Sequence, residues 1–324
     1  MGRGLKVSVI VPTRNRPDAL RVALDGIASQ THPLIELVLI DDGSSPDNAA
    51  RNQTLAREMM PVVCYRYLDA ARGSGPSAAR NQGLALATGE LIAFLDDDDI
   101  WTDPGHLAEA VKFFEAEADL DLVFANQEDH LDGKPVFRTR LPRLAKRLGL
   151  GDERTGRSFR LRKDDCLLGY HACLNTCVYR RTVLEAIGGF WEAIRYAEDC
   201  DLYARSIDVA RGVRYRDWTI GIHPVADESL RATASTVLDE EAKQLACVYI
   251  SQHLIQTAQD PAVIRFAREL GGNAYRRLAL VAHREGQPAR AAEFARLALA
   301  ALYSTKWAVF TVYSVMRRML SRSR

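Results

Sequence analysis

Three short stretches gather side chains able to do chemistry: Asp41-Asp42-Gly43-Ser44, Asp96-Asp97-Asp98-Asp99 and Glu198-Asp199. Four consecutive carboxylates repel one another unless something cationic neutralises them. A hard divalent ion is the natural partner. Mn²⁺ or Mg²⁺ takes one or two protein carboxylates and leaves its other positions to water and phosphate oxygens. An EF-hand calcium loop needs spaced ligands and a Gly and a Glu at fixed positions, which this run lacks. The bland alternatives are a solvated acidic turn and, for Asp41-Asp42, a cap on the following helix. Phosphate also needs donors. Gly73-Ser74-Gly75-Pro76-Ser77 feeds a helix start, with Arg80 in its first turn. Backbone N–H groups and a guanidinium fork suit a diphosphate or the edge of a base, although such a loop also serves simply as a turn and cap. Glu198-Asp199 opens a helical pattern. A carboxylate there either favours the helix dipole or acts as a general base.

The elements that must position these groups are legible as a pattern. Val7–Val11, Glu36–Ile40, Val62–Tyr67, Leu91–Leu95 and Leu120–Phe124 are short, nearly continuous apolar runs. Such runs fit strands covered on both faces of a parallel sheet. Helical patterns lie between them at Asp18–Gln30, Pro46–Met59, Ser77–Ala87 and Pro104–Glu117. The alternation predicts a doubly wound α/β fold, whose ligands bind outside the carboxyl ends of the strands. The Pro12–Arg16, Asp41–Ser44 and Asp96–Asp99 stretches all fall on that edge.

The chain has 324 residues and a net charge of +1. That size supports a sizeable core, and the composition excludes disorder and a disulfide scaffold. Residues 134–163 stand apart, with eleven Lys or Arg against two acids, Asp152 and Glu153. They read as a long loop with a short helix. From about Val237 the pattern is helical: Leu238–Ala258, Pro261–Glu285, Pro288–Tyr303 and Trp307–Leu320, with a turn at Gly286-Gln287-Pro288. The N-terminus lacks a signal-like apolar run, so a reducing, cytoplasmic setting is expected.

The series VSVIVPTRNRP, VLIDDGSSP, GPSAARNQGLALATGELIAFLDDDDIWTDP, RRTVLEAIGGF and YAEDCDLYAR resembles the inverting GT-A glycosyltransferases of family 2 over roughly residues 5–225. The resemblance implies a Rossmann-like, mostly parallel sheet flanked by helices in residues 1–235, carrying the basic insert 134–163. An α-helical extension follows in residues 236–324. It implies transfer of a sugar from a nucleotide-diphosphate sugar, UDP- or dTDP-linked, to a hydroxyl of a glycan, lipid-linked or protein acceptor in cell-surface glycan synthesis. Asp42 would meet the base, Pro12, Thr13 and Asn15 would shape the nucleotide pocket, and Arg80 would approach the base or diphosphate. The DxD element is Asp96-x-Asp98, with Asp98 as the principal ligand of Mn²⁺ or Mg²⁺ and Asp96 and Asp97 toward the nucleotide. Asp199 matches the general base. His223 would be a further metal or diphosphate ligand, and Trp191, Asn175 and Glu198 would lie on the acceptor side.

Cys166, His171, Cys173 and Cys177 lack a CxxC spacing and read as strand cysteines rather than a zinc site. The insert favours an anionic acceptor or anionic lipid headgroups. Its lack of an aromatic platform disfavours nucleic acid. The aromatic and basic last segment fits either a membrane-surface helix or packing on the catalytic domain or a second subunit. Two other functions compete. A sugar-1-phosphate nucleotidyltransferase would want a Gly-rich loop where PTRNRP stands. A non-catalytic binding module would have lost the metal or base carboxylates, and neither is lost.

Overall fold

The computed structural model describes residues 4–60, 63–69, 73–139, 141–151, 154–168, 171–225 and 238–322. The chain forms two compact units: Met1–Ala193 with Glu198–Asp227, and Ile194–Ala197 with Glu228–Arg324. The domain boundary expected after residue 235 lies outside the described residues.

In the first unit the expected alternation is present. β1 (Val7–Thr13), α1 (Pro17–Ala28), β2 (Ile35–Asp41), α2 (Pro46–Met59), β3 (Val63–Tyr67), α3 (Pro76–Leu86) and β4 (Leu91–Phe94) follow in order. Each of the three helices opens on a proline, whose fixed φ suits the first helical position and whose missing N–H costs nothing there. β3, β2, β1 and β4 are neighbours in that order and all parallel. Their buried Val, Ile and Leu side chains pack beneath α1 and against Phe114 and Trp101. One carboxylate sits among them. Glu36 accepts from the hydroxyls of Ser8 and Thr88, the Thr88 N–H and Lys6.

The second half of the sheet mixes directions. β5 (Ile100–Trp101), α4 (His106–Ala116) and β6 (Leu122–Leu131) are followed by β7 (Lys134–Phe137), α5 (Pro142–Arg147), β8 (Ser158–Leu161) and α6 (Lys163–Cys166). β9 (Cys177–Arg180), α7 (Arg181–Ala186), α8 (Glu198–Val209) and β10 (Val213–Pro224) complete the unit. β9 lies antiparallel between β4 and β6, and β10 runs parallel to β6. The sheet is therefore mixed, its parallel half being the one that carries the first two acidic stretches.

The basic insert is not the loop expected from its composition. β7 folds back on β6 and β8 pairs with β10. These are edge strands whose backbone partners lie elsewhere in the chain, so charged side chains do not prevent them. β6 also runs past the expected Phe124 to Leu131. In its polar half Asn126, Gln127 and Asp129 are buried, and Asn126 donates to the Arg138 carbonyl and Gln127 to Asp99.

The second unit holds α9 (Glu240–Thr257), α10 (Pro261–Arg284), α11 (Pro288–Ala301) and α12 (Thr305–Arg322). Asp239 and Asp260 cap α9 and α10 by accepting from Ala242 N–H and Ala262 N–H. Buried alanines, among them Ala274, Ala279, Ala292, Ala295 and Ala298, bring the helices close together. The turn at Gly286 is present, with Gln287 N–H closing onto the Ala282 carbonyl.

α3 rests on β1 through Gly83. A β-carbon there would lie 2.3 Å from Cγ2 of Ile10, a fully buried, stiff, β-branched side chain. Gly83→Ala is therefore expected to cost about 1–3 kcal/mol of stability by overpacking. Denaturant unfolding checks this, and an unchanged midpoint would show that the helix can lift away freely.

Candidate active site

β1 ends by delivering Thr13 against the aspartate turn. Its hydroxyl donates to Asp97 over 2.8 Å, and Arg16 reaches both Asp97 (3.3 Å) and Asp98 (3.0 Å). Asn15 adopts φ +56°, a left-handed conformation that Asn tolerates better than most residues. Its N–H donates to Ser44 Oγ and its side-chain oxygen accepts from Ser45 N–H, so the turns after β1 and β2 are tied together. Pro12 lies within β1 directly before this corner.

The second acidic pair divides its work. Asp41 is a structural anchor, accepting from Ser44 N–H, the Asn52 amide and the Tyr65 hydroxyl. Asp42 accepts from Ser74 N–H (2.7 Å) and Gly75 N–H (2.9 Å), and so holds the glycine-rich loop in place. Gly73 has φ +74°, and a β-carbon on it would sit 2.6 Å from the Arg14 guanidinium and 2.9 Å from the Asp42 carboxylate. Only glycine fits this clamp.

The Asp96–Asp99 turn alternates in exposure. Asp97 and Asp99 are buried, whereas Asp96 and Asp98 keep the more accessible carboxylates. Asp97, expected toward the nucleotide, is instead enclosed beneath Thr13 and Arg16. Burial, reinforced by the neighbouring Asp98, pushes its pKa up to about 6 against the pull of Arg16. Burial likewise raises Asp99 to about 6, although His223 Nδ1 lies 2.7 Å from its carboxylate. Of the two expected metal ligands, His223 lies against Asp99 and Asp98 lies against Arg16. Among the described residues no cluster of three His, Cys, Asp or Glu is already shaped for a metal.

Arg80 joins the two halves of the site. It is 4% exposed and donates to Asp96 (2.6 Å) and to Glu198 (2.9 Å), with its guanidinium 5.3 Å from the centre of the Phe190 ring. Glu198, expected on the acceptor side, thus belongs with the strand-end aspartates through this arginine. Phe190 is fixed in turn by Asn81, which exchanges two hydrogen bonds with its backbone, and the half-buried Trp191 follows it. Asn175 is also no open acceptor contact. It is buried in a short 3₁₀ turn, Leu174–Thr176, and its carbonyl accepts from the Trp101 indole.

Asp199 begins α8 beside Glu198. Its Oδ1 accepts from Cys200 N–H, and its Oδ2 accepts from His171 Nε2 at 3.0 Å. Burial opposes charge on both partners, but their mutual attraction outweighs it. The Asp199 carboxyl is held well below its usual range and the His171 ring well above its own. His171, set aside in the sequence together with its neighbouring cysteines, is brought into the site by the fold. Its nearest sequence neighbours of interest are cysteines, which are all free thiols here. Its partner is 28 residues away, and only the fold brings them together.

The family model described as glycosyl transferase family 2 matches residues 8–188. An uncharacterized glycosyltransferase of Nostoc sp. is 40% identical over 111 residues, which is 34% of this chain and 33% of that protein. A GalNAc(5)-diNAcBac-PP-undecaprenol beta-1,3-glucosyltransferase of Campylobacter jejuni is 38% identical over 94 residues, 29% of this chain and 30% of that one. The matched stretch thus spans well under half of these relatives. Among solved structures, S. aureus TarS 1-349 in complex with UDP-GlcNAc superposes with a TM-score of 0.69 at 18% identity, over 97% of this chain and 88% of that chain. The Pyrobaculum calidifontis mannosyltransferase PcManGT, in complex with GDP-Man and Mn²⁺, gives a TM-score of 0.59 at 20% identity, over 97% and 85%. These likenesses establish the GT-A type of fold. With the family match running across more than half of its residues, the chain belongs to glycosyl transferase family 2.

Proposed function

We propose that the chain is an inverting, metal-dependent glycosyltransferase. It moves a sugar from a UDP- or dTDP-sugar to a hydroxyl of a glycan, lipid-linked or protein acceptor in cell-surface glycan synthesis. The carrying observation is the Arg80 bridge, which links Asp96, on the donor-binding edge, to the helix start that presents Asp199. The nucleotide sugars bound by the S. aureus and Pyrobaculum proteins support a donor of this class. Six free cysteines suit a reducing, cytoplasmic setting.

In this reading Pro12, Thr13 and Asn15 border the nucleotide, and Asp42 sits where the base would lie while holding the 73–75 loop. Asp96 faces the ribose, and Arg80 keeps it oriented. The donor set fits a hard divalent ion, since the turn crowds carboxylates that burial and like charge destabilise as anions, with an imidazole alongside. Asp98 and His223 would hold Mn²⁺ or Mg²⁺, which when bound offsets charge on the departing diphosphate. Asp199 takes the proton from the acceptor hydroxyl, and His171 fixes the carboxylate that receives it. The half-buried Trp191 borders the acceptor.

Thermal unfolding with a panel of nucleotides, with and without Mn²⁺, tests the donor reading. A diphosphate at about 100 times its Kd adds ~2.7 kcal/mol to the native state. The expected result is a shift with UDP or dTDP plus Mn²⁺ that disappears without the metal and in Asp98→Ala. No shift with any nucleoside diphosphate would refute it. Asp199→Asn is expected to keep that binding shift and to lose turnover of the sugar donor by about 10²–10⁴-fold.

The charged Asp199–His171 pair contributes its full stability between the unfolded carboxyl pKa and the unfolded imidazole pKa. That contribution is lost as pH falls through the lowered folded pKa of Asp199, and as pH rises through the raised folded pKa of His171. In His171→Gln the carboxyl loses its cationic partner, and burial then raises its pKa. The acid limb of the donor-turnover profile should therefore move to higher pH. An unmoved limb would show that His171 does not act through Asp199.

A further inference from the structure

α12 buries two hydroxyls and leaves a row of apolar side chains open. The helix packs along α11, and the side chains it buries most deeply are polar, Thr311 at 7% and Ser314 at 1% exposed, flanked by the half-buried Trp307, Phe310 and Val315. Thr311 donates to the Ala295 and Trp307 carbonyls and Ser314 donates to the Phe310 carbonyl, so the buried hydroxyls are satisfied. The opposite side is apolar and open. Val309 is 67% exposed, Val312 54%, Met316 59%, Met319 63% and Leu320 70%, with Tyr313 beside them. At the helical repeat these residues share one stripe. Scattered exposed apolar residues are ordinary, but a continuous stripe marks a surface that something covers.

Charge indicates what covers it. The helix TKWAVFTVYSVMRRMLSR contains no Asp or Glu. Its cations are Lys306, Arg317, Arg318 and Arg322, and the exposed Lys306 and Arg317 lie along one edge of the apolar stripe. Two exposed tyrosines, Tyr303 and Tyr313, add groups that are apolar along the ring and polar at the tip. A second copy docking on this face would bring like charges together with no carboxylate on the helix to meet them. A membrane-spanning role is also absent among the described residues, since no helix there is long and apolar enough to cross.

We propose that α12 is a membrane-surface helix that lays its Val309–Leu320 stripe into the interface of a bilayer rich in anionic phospholipid headgroups. Apolar burial supplies the hold, and Lys306 and Arg317 supply the preference for negative surfaces. This inference is independent of the assigned catalytic residues.

Co-sedimentation of the full chain with vesicles tests it. Phosphatidylcholine vesicles containing phosphatidylglycerol are compared with phosphatidylcholine alone. The expected result is binding to the anionic vesicles that weakens as salt rises. The combined variant Val312→Ser, Met316→Gln, Met319→Gln should weaken that binding by at least about tenfold. All three positions face solvent, and circular dichroism checks that the helices remain. Binding to neither vesicle overturns the proposal, as does equal binding to both. Retained binding in the variant overturns it by moving the contact to another part of the chain, such as the basic residues 134–163. A concentration-dependent dimer that the variant abolishes, without vesicle binding, overturns it in favour of a second copy.

Discussion

The site depends on one buried cation. Arg80 brings its guanidinium out of water between Asp96 and Glu198 and next to the Phe190 ring. A charge in that position is costly unless its partners are well placed, and removing one partner leaves the other side uncompensated. The two carboxylates come from the end of a strand and the start of a helix far apart in sequence. The arginine therefore fixes where the strand-end aspartates stand relative to the helix start that carries Asp199. Its own helix can lie close enough because Gly83 brings α3 down onto β1.

Around that cation, charge is paired in a consistent way. Arg16 holds Asp97 and Asp98, His223 stands against Asp99, and His171 against Asp199. The positive partners are few and mostly bridging, while the carboxylates are clustered. That imbalance is the physical ground for proposing a divalent ion at the turn. Burial pushes Asp97 and Asp99 upward, with the neighbouring aspartates adding to it, while Asp199 is held down by His171, the Cys200 N–H and the charge of Arg80.

Much of this was legible in the residues. Continuous apolar runs disclosed β1, β2 and β4 because those strands are covered on both faces. The helical patterns placed the starts of α1, α2 and α3 within one residue of the prolines that open them. The acidic stretches could be placed on one edge once the alternation was recognised. Other features could not be read, because their cause is not local. β7 and β8 are charged segments made into strands by the partners β6 and β10. The second half of β6 is polar, and its burial is made tolerable by Asn126 and Gln127 finding partners. Four identical aspartates hide their register, which only the alternation of exposure at Asp96 and Asp98 against Asp97 and Asp99 distinguishes. The pairing of His171 with Asp199 leaves no trace in spacing.

The position of β9 has a consequence for how the protein is made. Among the described residues, backbone hydrogen bonds join β4 to β6 only through Cys177–Arg180, which is synthesised long after both. Until that short strand emerges from the ribosome, the two parts of the sheet have no hydrogen-bonded continuity, and each exposes an edge. Late closure of this kind slows folding and leaves the nascent chain open to wrong pairing. The four residues of β9 thus act as the keystone of assembly, although none of them carries chemistry.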